Sequence, residues 1–460
     1  MDHRSARTAQ STDGCPVAHA ADGFDPFGDD YQQNPAAALA AARAHEPVFH
    51  SPELDYWVVT RYADIKEAFR NTRDYSASLA LDPITPLAPQ ARERLDSYGF
   101  APGPVLVNED EPLHMRRRKQ LAPPLAAAEV ALLENRIRAL VTRYIDAFAD
   151  RGRADLVDDL LWEVPAIVGL LVMGVPDEDI ETARHYTIKM GLFTWGRPSV
   201  EHQVETADQV GRWWRLSGEL VERLKREPGR GWMPHAIEVH RRDPELVDDN
   251  HLQNMMMSGL VAAHETTTNA TANALRYLLA DRESWQALCE DPALVPNAVE
   301  ECLRYAPSVL CWRRRALKDV VLGGTTVPAG GRLLLMTASG NHDERVFPDP
   351  GRLDIRRANA KRHLTFGAGA HSCIGAPLAR LEMRIILEEL TRRLPDMGLL
   401  PGQTFSYLPN ASFHGPRHVL AQWPVPAPSG PAPAPSRSPA HREADVPRPT
   451  TRPVPTEESP

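Results

Sequence analysis

The 460-residue chain carries 52 Lys and Arg against 61 Asp and Glu, a net charge of -9, with 42% hydrophobic and 25% charged residues. That balance suits a globular protein with a sizeable core and speaks against nucleic acid as a bulk partner. The length admits two or three domains or one large helical one, and five cysteines without short spacings point away from a disulfide framework and toward a reducing, cytoplasmic compartment.

Residues 1–22 hold small polar and charged side chains with no apolar run, so they read as disordered, without a signal-peptide pattern and with Cys15 incidental. Asn34-Pro-Ala-Ala-Ala-Leu opens a helix, Pro47-Val-Phe-His and Tyr56-Trp-Val-Val-Thr60 predict a β-hairpin, and Tyr62 to Arg70 returns to helix. From Ser76 to Asn108 the chain is Pro-rich and aperiodic, which predicts a long irregular connection of the functional or mobile kind.

In Glu111-Pro-Leu-His114-Met-Arg-Arg-Arg118-Lys-Gln, His114 and Arg118 stand four apart on a helix and suit two donors gripping one carboxylate. Four consecutive basic residues also fit a solvated face. Helical periods fill 125–227, where Val164 to Val175 is too short to span a bilayer and reads as a buried helix. Met190 to Trp214 gathers Phe193, Trp195, Trp213 and Trp214, either as core or as the lining of a pocket.

Asp248 to Asp281 is the longest uninterrupted helical pattern, and its middle reads Ala262-Ala-His-Glu265-Thr266-Thr-Thr268-Asn, where Thr and Asn are poor mid-helix residues. Such a local conflict marks a functional stretch. Glu301 and Arg304 lie three apart on one helix face, the spacing of an ordinary surface pair. Arg313 to Gly330 alternates like strands with Gly turns.

The stretch Phe366-Gly-Ala-Gly-Ala-His371-Ser-Cys373-Ile-Gly-Ala-Pro sets one cysteine among glycines directly before an amphipathic helix. A helix start favours an anion, so the thiol is expected to be depressed in pKa and available as a thiolate, which is what a heme iron needs. A small buried thiol in a Gly-rich turn is the other reading. After Trp423 the composition turns to Pro, Ala, Ser and Arg, so 424–460 reads as a disordered tail.

Phe-Gly-x-Gly-x-His-x-Cys-x-Gly resembles the heme-binding signature of the cytochrome P450 family, bacterial and soluble in type, and the other motifs follow in that family's order over roughly residues 23–423. The resemblance implies a mainly α fold with a minor β region in a single large domain, binding heme b, with O2 as co-substrate. It makes Cys373 the axial ligand, sets Phe366 near the sulfur, and turns His114, Arg118, Arg314 and His371 toward the two heme propionates. Arg116, Arg117 and Lys119 then belong to the exposed face of their helix. Glu265 and Thr266 become the acid and alcohol that deliver protons, with Glu265 linking to solvent, and Val309 and Leu310 line the pocket. Ala263, where the family usually has Gly, narrows the oxygen groove. Glu301, Arg304 and Arg352 form a buried structural network around an inert Cys302.

The implied reaction is insertion of one oxygen atom into a small organic substrate, as hydroxylation or epoxidation in secondary metabolism. The same heme site also serves phenol coupling, desaturation or nitration, and a heme sensor or ligand-binding protein is the alternative of another class, one with no need of Glu265 and Thr266. No flavin or iron–sulfur sequence follows Trp423, so a ferredoxin and ferredoxin reductase are the expected electron donors. Two basic groups, Arg116, Arg117 and Lys119 with Arg356, Arg357, Lys361 and Arg362, are the expected docking patch. No nucleic acid or membrane partner is implied.

Overall fold

A computed structural model describes residues 20–184, 190–227 and 229–425 of the chain. The chain divides into two units, Met1–Pro424 and Val425–Pro460, and of the second only Val425 lies among the described residues. Most of the N-terminal and tail segments expected to be disordered, with Cys15, therefore lie outside the described residues. The boundary expected at 23 begins earlier: Ala20–Gly23 forms a 3-10 turn, and the Ala20 N–H donates to Glu46 Oε2 at 2.8 Å.

The core is organised along the helix Asp249–Ala280. Asp248 accepts the His251 N–H to cap its start, a contact worth about 1 kcal/mol. Asp281 closes its far end and caps the next helix by accepting from Ser284 N–H. The helix is buried almost all round because it runs through two apolar clusters. Met255–Met257 and Leu260 pack with Trp213, Trp214, Leu220 and Met233, while Ala270–Leu279 pack with Val164, Leu378, Ile385 and Ile386. Trp213 and Trp214 are thus core, their indole N–H groups donating to the Met257 and Gly99 carbonyls. The expected helix at 164–175 forms over Val164–Met173 and is nearly all buried, ended by Gly174 at φ +84°.

The minor β region is a five-stranded sheet ordered Val48–Ser51, Tyr56–Val59, Arg332–Leu335, Trp312–Ala316 and Tyr75–Ser76. The expected hairpin is its first pair, in register Phe49↔Val58, and Tyr56–Val59 then runs parallel to Arg332–Leu335. The connection 76–108 is less irregular than expected, since Pro89–Asp96 is helical. Pro89 pre-sets the first turn, and only Ala91 and Leu95 are buried, packed in the same cluster as Ala207, Val210 and Trp214 of the helix Val200–Arg226. Two apolar residues in a charged octapeptide leave no period to read. Among the described residues, no helix is long and apolar enough to cross a membrane.

Candidate active site

Cys373 lies in a loop whose turn is set by Gly367 and Gly369 at φ +68° and +76°. A side chain on Gly369 would come within 2.9 Å of Arg70 Cα, so that position requires glycine on both counts. The Cys373 N–H donates to Phe366 O at 2.8 Å, and the helix Ala376–Arg393 starts three residues on. The sulfur accepts from the Gly375 and Ala376 N–H groups, with Arg118 and Arg380 near enough to favour its negative form. The thiol is nevertheless pushed up, not depressed as expected, because desolvation outweighs those donors. Its surface remains accessible, in contrast to Cys302 and Cys311, which are sealed in the core. The Phe366 ring lies under the Arg380 guanidinium, whose carbon is 4.5 Å from the ring centroid.

Four basic side chains converge next to this loop. His114 sits on the helix Leu113–Leu121 and its ring stacks on His371, with centroids 3.8 Å apart and planes 16° from parallel. Arg118, one turn further, donates from Nη2 to Ser372 O at 2.7 Å. Arg314 enters from the strand Trp312–Ala316, buried, its guanidinium 5.3 Å from the Phe69 ring centroid. Burial pushes His371 down to about 3 and Arg314 to about 10, and lowers His114. Mutual repulsion adds to this for the histidines.

Among the described residues, neither Arg118 nor Arg314 pairs with a carboxylate within salt-bridge distance, and His114 Nε2 is buried without a partner while Nδ1 lies 3.0 Å from Glu111 Oε1. Arg314, buried, and Arg118, half-buried, have no paired carboxylate among the described residues, and a dianion placed beside them would supply that counter-charge, with His114 and His371 as further hydrogen-bond donors. Two carboxylates and a thiolate-seeking metal are what a heme presents, so the donor set fits that group.

On the other side, the central helix exposes a strip of Gly259, Ala262, Ala263 and Thr266 between buried neighbours. Thr266 Oγ1 donates to Ala262 O at 2.6 Å, while Thr268 faces away and donates to Leu161 O at 2.7 Å. His264 is buried against Trp162, with Nε2 2.8 Å from the Trp162 carbonyl oxygen, and burial pushes it down to about 4. Glu265 is 4% exposed and accepts the Gly191 N–H at 3.0 Å, so its expected opening to solvent is closed here by the helix Met190–Trp195. Ala263 has its methyl 2.9 Å from where a Gly169 side chain would begin, so the glycine on the neighbouring helix takes up the volume that Ala263 adds. Val309 and Leu310 are buried beside the Ser412–Phe413 segment, Val309 bridging to Phe413 and the Leu310 N–H donating to Ser412 O.

Glu301 and Arg304 are both fully buried and paired at 2.8 Å. Arg352 does not complete this network as expected. Its side chain is exposed, and Arg357 takes the place, donating from Nε to Glu301 Oε1 at 3.0 Å and reaching the Arg352 carbonyl through Nη2. The Arg352 N–H is spent on a turn to Asp349, and that turn carries the chain so that the side chain five residues on points inward. Arg117 also departs from the expected exposed face. It is buried between helices, donating to Leu246 O and paired with Glu109, because its position on the helix faces inward beside His114. Arg357 and Arg117 therefore leave the basic surface, and Arg116, Lys119, Arg356, Lys361 and Arg362 remain exposed.

Gly191 and Phe413, which enclose Glu265, carry no sequence signal because their contacts are long-range.

A family model described as Cytochrome P450 matches residues 233–394. The chain is 33% identical to cytochrome P450 monooxygenase PikC of Streptomyces venezuelae over 86% of this chain and 93% of that one. The chain belongs to the cytochrome P450 family. It is a P450 monooxygenase, a class that uses heme iron and dioxygen and takes small substrates and redox partners. The heme domain of Tepidiphilus thermophilus P450 has the same fold, with TM-score 0.85 and 46% identity over 87% of this chain and 96% of that one. An intact type IV self-sufficient cytochrome P450 monooxygenase superposes with TM-score 0.87 and 52% identity over 90% of this chain. The chain spans about half of that protein, 54% of its length.

Proposed function

We propose that this P450 holds heme b through Cys373 and hydroxylates or epoxidises a small organic substrate seated between the central helix and Met190–Trp195, in cytoplasmic secondary metabolism. The observation that carries the reading is the set of four basic side chains, His114, Arg118, Arg314 and His371, gathered beside Cys373, where among the described residues neither arginine is paired with a carboxylate and His114 Nε2 has no partner. His114 and Arg118 would take one propionate from one helix face, Arg314 would neutralise the other, and His371 would add a hydrogen bond. Bound heme iron supplies reductive activation of dioxygen, favoured by electron density from the Cys373 sulfur.

The protons come from this chain. Thr266 has its hydroxyl hydrogen committed to Ala262 O, so its oxygen is left to accept from, and thereby orient, a water that carries a proton in. Glu265 is the next proton store, and its contact with Gly191 ties proton access to the position of the helix above it. Thr266→Ala should keep heme content and substrate binding while diverting most reducing equivalents into hydrogen peroxide, and Glu265→Gln should slow turnover with heme retained. Thr268→Ala should lower stability by about 1 kcal/mol through its lost bond to Leu161 without uncoupling. NADPH consumption, peroxide and product measured together with surrogate redox partners test this, and equal coupling in wild type and Thr266→Ala would remove the proton route.

Ferredoxin and ferredoxin reductase are the proposed donors, docking on the corrected patch of Arg116, Lys119, Arg356, Lys361 and Arg362. Steering by such a patch acts at low ionic strength and fades as the Debye length shortens. Reversing Lys119 and Lys361 to Glu should slow reduction by an acidic ferredoxin roughly tenfold at low salt, with the difference shrinking at high salt. Stopped-flow reduction rates that are equal at low salt would reject the patch.

A further inference from the structure

The geometry points to Arg313 as a positioning residue that fixes the substrate pocket by holding the end of the helix Met190–Trp195. This rests on the proposed seating of substrate beneath that helix. Arg313 is fully buried on the strand Trp312–Ala316, its neighbour Arg314 being the one assigned to heme. Its guanidinium carbon lies 3.6 Å from the Trp195 ring centroid, and Nη2 donates to Thr194 O at 2.8 Å. Among the described residues, Nε and Nη1 have no hydrogen-bond partner.

Thr194 O also accepts the Ile84 N–H at 2.9 Å, and Trp195 O accepts the Ala411 N–H at 2.9 Å. The connection 76–108, the short helix, the strand of Arg313 and the segment around Ala411 are therefore tied together at two consecutive residues. One turn back along the helix, Gly191 bonds Glu265, and a methyl there would lie 2.5 Å from Phe413 Cδ2. A tilt at the Trp195 end is thus transmitted to Phe413 and Glu265, with no slack to absorb it.

A buried charge with two unsatisfied donors is a poor device for stability, and an apolar side chain of similar volume would hold the fold as well. What the guanidinium alone does is sit over the Trp195 ring while its fork reaches the Thr194 carbonyl. Position, not stability, explains it.

The test uses the heme-loaded enzyme and two iron-binding probes followed by their Soret shifts. Imidazole is small enough to reach the iron without touching the helix, whereas 4-phenylimidazole needs the space beneath it. For Arg313→Met, thermal unfolding and imidazole affinity should stay near wild type, while 4-phenylimidazole binding weakens about tenfold through loss of preorganisation. Arg313→Lys, which keeps the charge and a donor but not the planar fork over the ring, should fall between, and serves alone if the Met variant does not fold. Unchanged affinity for both probes, or equal weakening of both with lowered thermal stability, would overturn the assignment. Phe413→Ala in the wild-type background checks the pocket itself: its 4-phenylimidazole affinity should change, and if it does not, the seating of substrate is wrong whatever Arg313 does.

Discussion

Cys373→Ser is expected to abolish the red-shifted Soret band of the reduced carbon monoxide complex, whereas Cys289→Ser and Cys311→Ser leave it in place. Of the four described cysteines, Cys373 is exposed, Cys289 intermediate, and Cys302 and Cys311 buried. Burial pushes the Cys302 and Cys311 thiols up, Cys311 to about 12, with no opposing backbone donors comparable to Gly375 and Ala376. Only a thiolate donates enough density for the shifted band, and a serine hydroxyl ionises far too weakly to replace it. The raised thiol at Cys373 adds a second measurable consequence. Metal ligation must displace its proton, so heme uptake by the apoprotein should release a proton and tighten as pH rises toward the thiol's pKa. Heme titrations in weakly buffered solution should show that release in wild type and lack it in Cys373→Ser. Retention of the shifted band in the serine variant would reject Cys373 as ligand.

The parts of this molecule legible in the sequence are those fixed by local pattern. Glycines around Cys373, the i, i+4 spacing of His114 and Arg118, and the Thr-Thr-Thr-Asn run at 266–269 inside a helical pattern are each read from what a short segment does on its own. The helices at 62–70 and 249–280 and the hairpin at 48–59 were equally plain, since each carries a regular apolar pattern within its own segment, the helix at 62–70 facing one core and the other two dividing between two. Failures occur where a side chain's environment is made by distant segments. Arg117 looks like one of four solvated basics until Glu109 and Leu246 close over it. The Cys373 thiol looks activated by its helix until desolvation of the sulfur by the loop around it is weighed against two backbone donors and two nearby guanidiniums. Glu265 looks open to solvent until Gly191 covers it, and no spacing in the sequence relates residues 74 apart.

The choice between Arg352 and Arg357 gives the second large effect, because it decides which side chain shares a buried charge. Glu301 Oε1 accepts from Arg304 Nη2, Arg357 Nε and the Asp354 N–H at 2.8, 3.0 and 3.0 Å, and Oε2 from Arg304 Nε at 2.8 Å. Arg304 extends the network to the carbonyls of Asn341, Pro350 and Arg352, and Arg357 to those of Pro348, Asp349 and Arg352. One carboxylate thus pins the backbone of 341–357, the segment that leads into the Cys373 loop. Replacing such a buried pair by apolar groups can be neutral, but removing one partner strands the others, at a cost of about 3–5 kcal/mol. Glu301→Gln should therefore lower stability to denaturant by that order and yield protein with little heme, since the loop that presents Cys373 loses its support. Arg357→Ala should lie in the same range, because it leaves Glu301 short of charge and three carbonyls short of donors. Arg352→Ala should cost under about 0.5 kcal/mol, as its side chain is exposed and its role in the network is carried by a main-chain carbonyl that alanine keeps. Denaturation midpoints and heme content for the three variants separate the assignments, and an Arg352→Ala more damaging than Arg357→Ala would return the third place in the network to Arg352.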